Sequence, residues 1–151
     1  MNETIQNLFS DLQINDYRSE GLEKLAAADN RFLKDLKLNV GNVLKSDRFS
    51  RKEAYLLALA AAVNAGSGVL IGAFEKLART EAATDAEIAE IHACTALMNT
   101  NNVFYRFRHY LPGNEYYNHT PAGLRMSIMM SPVLGKEFFE LVSLCVSALN
   151  G

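Results

Sequence analysis

Two capping boxes constrain this chain more than any other feature. Ser50-Arg51-Lys52-Glu53 and Thr84-Asp85-Ala86-Glu87 each place a hydroxyl three residues before a carboxylate, so that side chains and free backbone donors satisfy each other at a helix start. Each box opens a run with helical or strongly apolar character, and no stretch alternates with the period of two that a half-buried strand requires. The class read from the sequence is all-α. Glu3 to Gln13, Ser19 to Ala28 and Arg31 to Leu44 read as further amphipathic helices, broken at Asn15-Asp16, Asp29-Asn30 and Lys45-Ser46-Asp47. Thr120-Pro121 and Ser131-Pro132 set a capping hydroxyl before a proline that suits the first helical position, which predicts helices over 121–130 and 132–149.

Composition narrows the function. With 151 residues the chain suffices for one domain with a core, burying roughly 70% of its unfolded surface. Fifteen Lys plus Arg against seventeen Asp plus Glu give a net charge of -2, with no basic block to track phosphates, so nucleic acid is not an expected partner. The opening Met1 to Gln6 has neither the basic stretch nor the apolar run of a signal peptide, and the apolar run Ala54 to Val63 is about half a membrane span. These features predict a soluble cytoplasmic protein. Cys94 and Cys145, the two cysteines, each lie in apolar helical surroundings without a second cysteine at metal or redox spacing, and read as small buried hydrophobes. His92 and Cys94 point in opposed directions on one helix and cannot share a metal.

The last helix carries a polar stripe. On a period of about 3.6, Glu140, Ser143, Ser147 and Asn150 share one narrow face, while Phe138, Phe139, Leu141, Val142, Leu144, Cys145, Val146, Ala148 and Leu149 cover the rest. Such a stripe faces solvent or lines a site. The same helix has an internal counterpart: Lys52-Glu53-Ala54-Tyr55-Leu56-Leu57 resembles Lys136-Glu137-Phe138-Phe139-Glu140-Leu141, and the two runs end near Asn64-Ala65-Gly66 and Asn150-Gly151. The period is roughly 84 residues, suited to a duplicated domain, although the registers taken from Lys-Glu and from Asn differ by two positions. The turn-rich stretch from Pro112 to Thr120 divides the chain. The organisation read is an N-terminal helical domain over 1–111, a loop over 112–120, and the start of a second domain over 121–151.

Met98-Asn99-Thr100-Asn101-Asn102-Val103-Phe104-Tyr105-Arg106, then Pro121-Ala122-Gly123-Leu124-Arg125-Met126-Ser127-Ile128, then Phe139-Glu140-Leu141 and Val146-Ser147-Ala148-Leu149-Asn150-Gly151, resemble the AhpD-type alkyl hydroperoxidases. These form the two-domain branch of the carboxymuconolactone decarboxylase-like superfamily. The resemblance runs from about Glu20 to Gly151. It implies an all-helical fold, usually trimeric, whose second repeat carries a Cys-x-x-Cys followed by a histidine and beginning directly after the Asn-Gly pair. It further implies a redox disulfide in place of metal, haem or flavin. Electrons would pass from a lipoyl-bearing dehydrogenase-complex protein to an AhpC-type peroxiredoxin. On this resemblance roughly 50 further residues belong after Gly151 in the parent protein, and the 151-residue chain is expected to be inactive alone.

The family's relay carboxylate carries over onto Glu140. A thiolate that attacks a peroxide oxygen or a disulfide sulfur needs a base to take its proton and an acid for the departing group. A buried glutamate suits both, because desolvation raises its pKa from about 4.3 toward working pH. The first repeat has no equivalent: Leu56 stands in the place of Glu140, and Gly66 to Phe74 contain neither Cys nor His. That copy reads as structural.

Other residues carry less. The run Asn101 to Tyr110 mixes bases with aromatics, read as a helix end whose rings pack inward and whose Arg106 anchors to a carboxylate. His109 and His119 flank the loop, and Met126, Met129 and Met130 read as core or interface. A different class also accommodates the sequence: a non-enzymatic helical module, ending naturally at Gly151, that serves oligomerisation or regulation. A lactone decarboxylase of the same superfamily is a third alternative.

Overall fold

The computed structural model describes residues 2–151, so Met1, the start of the segment inspected for a leader, lies outside the described residues. Among the described residues eight α-helices follow one another: α1 Glu3–Asp11, α2 Glu20–Ala27, α3 Phe32–Leu44, α4 Arg51–Asn64, α5 Gly68–Thr80, α6 Asp85–His109, α7 Glu115–His119 and α8 Lys136–Asn150. A single 3-10 turn, Ser127–Met130, precedes the last helix, and no strand occurs among the described residues. The all-α reading is correct.

Both capping boxes form as read. Ser50 accepts from the Glu53 amide while Glu53 accepts from the Ser50 amide, and Thr84 and Glu87 repeat the arrangement. Lys52 Nζ then lies 2.7 Å from Glu87 Oε1, so the first turns of α4 and α6 start side by side. α4, α6 and α8 run in the same direction. Successive contacts trace this for α6 and α8, from Glu90 against Val133 and Leu134, through Cys94 against Ser143, to Arg106 against Asn150. α5 returns across α4 after a reversal at Gly66, whose φ of 68° belongs to the left-handed region that glycine enters without a side-chain clash.

The core lies where these helices meet. Leu56, Leu59, Ile91, Phe139, Val142 and Val146 are fully buried there, and α1 adds Ile5, Leu8 and Phe9 from the side of α3. At about 1.5 Å per residue, the 25-residue α6 is roughly 37 Å long, well beyond the reach of α4 or α8. Its final turns therefore project past the ends of its neighbours. Val103, Phe107 and Tyr110 on that projection are exposed, against the inward packing expected for this run.

Two predicted helices are corrected. No helix spans 121–130: Thr120 is extended, Gly123 has a φ of 66°, and only the 3-10 turn at 127–130 forms. The cap-then-proline signal supplies a helix start, but the left-handed glycine two residues later breaks its continuation. The helix predicted from 132 begins instead at Lys136. Glu90 takes the amides of Val133 (2.8 Å) and Leu134 (2.6 Å) into a turn, and Gly135, with a φ of 78°, becomes the N-cap. The stretch 112–120, read as a loop, contains the five-residue α7.

Candidate functional site

Helix α8 carries the candidate relay, and its geometry follows from how it docks. Phe139, Val142, Ser143 and Val146 turn into the core, which fixes the rotation of the helix. Of the polar stripe, the three C-terminal members face α6. Ser143 is buried, donates to the Phe139 carbonyl at 2.8 Å and lies 3.4 Å from Cys94 Sγ; Ser147 Oγ donates to Asn102 Oδ1 at 3.3 Å. Asn150 Nδ2 donates to Asn99 Oδ1 at 2.6 Å. Glu140 sits at the edge of the same stripe, about 100° around the helix from Phe139, and there the protein surface has already opened.

The expectation of burial is therefore not met at Glu140. Its side chain is 63% exposed, and its nearest cation is Lys136 Nζ at 3.9 Å, one helical turn earlier. A carboxylate so placed is in contact with solvent. From Glu140 to Gly151 the helix rises roughly 16 Å, so the carboxylate and the Asn-Gly junction stand at opposite ends of three turns.

The carboxylate that is buried is Glu90, which the sequence reading did not single out. It accepts the Val133 and Leu134 amides and clamps the turn before α8. A charged residue at a buried helical position, with a proline-containing turn elsewhere in the chain, was the available signal, but neither predicts the other. Arg106 closes the opposite end of α8. Its guanidinium Nη2 donates to the main-chain oxygens of Asn150, at 2.6 Å, and of Gly151. The expected side-chain carboxylate partner is replaced by the helix C-terminus, whose free carbonyls carry the negative end of the dipole. Neighbouring Arg108 stacks over Phe104 at 4.8 Å and donates to the Thr120 carbonyl.

Neither cysteine is set up as a nucleophile. Cys94 is fully buried, and that burial pushes its thiol pKa up; the contact with the Ser143 hydroxyl opposes the shift and the charge of Glu90 adds to it. Burial raises the half-buried Cys145 thiol as well. Cys145 lies in the wall of an apolar recess of about 630 Å³ with Leu57, Ala58, Ala61 and Leu141. Since the thiolate is the reactive form, both are poor attackers at neutral pH. His92 Nε2 meets Glu75 Oε1 at 2.8 Å, and His119 is exposed. No three metal-binding side chains converge among the described residues, and no helix of those residues is long and apolar enough to cross a membrane.

No family model matches the chain. Individual proteins do. The chain is 39% identical over 130 residues to the alkyl hydroperoxide reductase AhpD of Rhizorhabdus wittichii, a match covering 86% of the chain and 74% of that protein. It is 41% identical over 120 residues to the alkyl hydroperoxide reductase AhpD of Beijerinckia indica, over 80% of the chain and 66% of that protein. The protein of the same name from Streptomyces griseus is 39% identical over 130 residues, covering 86% and 72% respectively.

Proposed function

The chain belongs to the alkyl hydroperoxide reductase AhpD family, and on that premise we propose that it forms part of an antioxidant peroxidase and disulfide reductase in which Glu140 relays protons. The 39% identity across 86% of the chain is the observation that carries this reading. The relay rests on the family match and not on burial: α8 is clamped at both ends by α6, and Glu140 projects from it into solvent.

The chemistry needs a thiol pair, which this reading places beyond Gly151. One thiolate attacks the outer peroxide oxygen; the O–O bond breaks, the alkoxide takes a proton and leaves as alcohol, and the sulfur becomes a sulfenic acid. The second thiol displaces water from that sulfur, leaving a disulfide. A lipoyl dithiol restores the pair, and the reduced pair in turn reduces the disulfide of an AhpC-type peroxiredoxin. No metal, haem or flavin takes part. Because Glu140 lies roughly 16 Å before Gly151, in this reading it reaches a thiol pair that follows Gly151 through water or through residues further along a helix that folds back on α8. The reversal from α4 into α5 at Gly66 supplies the pattern within the chain.

The first repeat keeps the helices without the chemistry, and exposed Val103, Phe107 and Tyr110 on the projecting end of α6 suit assembly into a homo-oligomer, a trimer by family pattern. The protein would act in the cytoplasm. Peroxide turnover and peroxiredoxin reduction test the reading. The 151-residue chain, which contains no Cys-x-x-Cys, gives neither; turnover above a Glu140→Gln control in that chain would sink it. In the gene product bearing a thiol pair, Glu140→Gln lowers kcat by about 10²-fold or more.

A further inference from the structure

Asn64 and Asn150 are each the last residue of their helix, and they touch. Asn64 Nδ2 donates to Asn150 Oδ1 at 3.1 Å. The other end of the Asn150 amide donates to Asn99 Oδ1 at 2.6 Å, and its main-chain oxygen accepts from Arg106. All three polar groups that Asn150 presents at the helix end are thus held, one by each of three residues on two other helices. Main-chain bonding alone leaves the last carbonyls of a helix free and the turn frayed, so this degree of fixing exceeds what termination of α8 requires.

We propose that Asn64 is a positioning residue, acting through Asn150 to hold the last turn of α8 and so the junction at which the thiol pair is placed. This rests on the redox reading above. It gives the first repeat a part in the reaction: having no chemistry of its own, it braces the site of the second. Asn64 Oδ1, Asn101 Oδ1 and Asn102 Nδ2 are buried and have no partner among the described residues, whereas nearly all buried polar atoms are bonded.

The test is amide hydrogen exchange on the full 151-residue chain, read at Ser147, Ala148 and Leu149, with Leu59 and Ile91 reporting the core. Asn64→Leu speeds exchange in the last turn of α8 by about two- to tenfold, the worth of one hydrogen bond, and leaves the core amides unchanged. Asn64→Ala serves as a second variant of smaller volume. In an Asn150→Leu background the effect of Asn64→Leu disappears, because residues acting through one contact are not additive. Unchanged exchange, an equal rise in the core, or additive effects would overturn the proposal. In the gene product bearing a thiol pair, Asn64→Leu lowers kcat for peroxide with KM unchanged, and an unchanged kcat overturns the positioning role. Exchange involves no thiol, so it stands or falls separately from the Glu140→Gln assay.

Discussion

Lys52 Nζ stands 2.7 Å from Glu87 Oε1, joining the first turn of α4 to the first turn of α6 across 35 residues of sequence. Glu87 also completes the capping box with Thr84. Lys52 first, then the Thr84 amide, hold its carboxyl below the ordinary range. A depressed folded-state pKa stabilises fully above the unfolded value, about 4.3, and that contribution is lost as pH falls through the lower folded value. Urea midpoints followed from about pH 5.5 to 3 decline for the native chain, and Glu87→Gln flattens part of that decline. A profile identical in the two proteins would contradict the linkage.

Phe139 anchors the rotation of α8. It is 1% exposed among Val142, Val146 and the apolar faces of α4 and α6. Phe139→Ala costs about 3–5 kcal/mol by transfer and cavity terms, read as a fall in the denaturant midpoint at constant slope.

Glu90 anchors the start of the same helix. Glu90→Ala leaves two amides without their acceptor and costs about 2–3 kcal/mol, whereas Glu90→Gln keeps one oxygen in place and costs less. Thermal melting of the three proteins orders them, with Gln between native and Ala.

The two thiols separate by access. At pH 8 a disulfide reagent labels half-buried Cys145 slowly and leaves Cys94 unlabelled until the chain unfolds. With folded values raised, the stabilising contribution is complete below the unfolded thiol pKa, about 8.5, and is lost as pH rises through the folded ones. Labelling of both thiols at equal rates in the native protein would contradict the burial of Cys94.

What the sequence disclosed was what local chemistry controls. The capping boxes at Ser50 and Thr84 act within four residues, and both appear where the pattern puts them. The stripe on α8 was legible as a stripe, and its destination was not: whether Ser143 and Asn150 face solvent or α6 depends on a helix some 50 residues distant. Glu140 was expected to be buried from the relay role that the resemblance gives it, yet it is exposed, and so is Leu144 beside it, at 64%. Apolar composition marks a surface suited to burial without saying what covers it. The late start of α8 was hidden for the same reason, since Pro132 satisfies every local rule and Glu90 overrules it from another helix.

The grip of α6 on both ends of α8 fixes where the Glu140 side chain is rooted. With Glu90 holding the entry and Arg106 the exit, the helix can neither slide nor turn without breaking contacts at both ends. The backbone therefore supplies a fixed address for the carboxylate, and only the three torsions of the Glu140 side chain remain free to place it. In the relay proposed above, the arm can be changed while the post stays still.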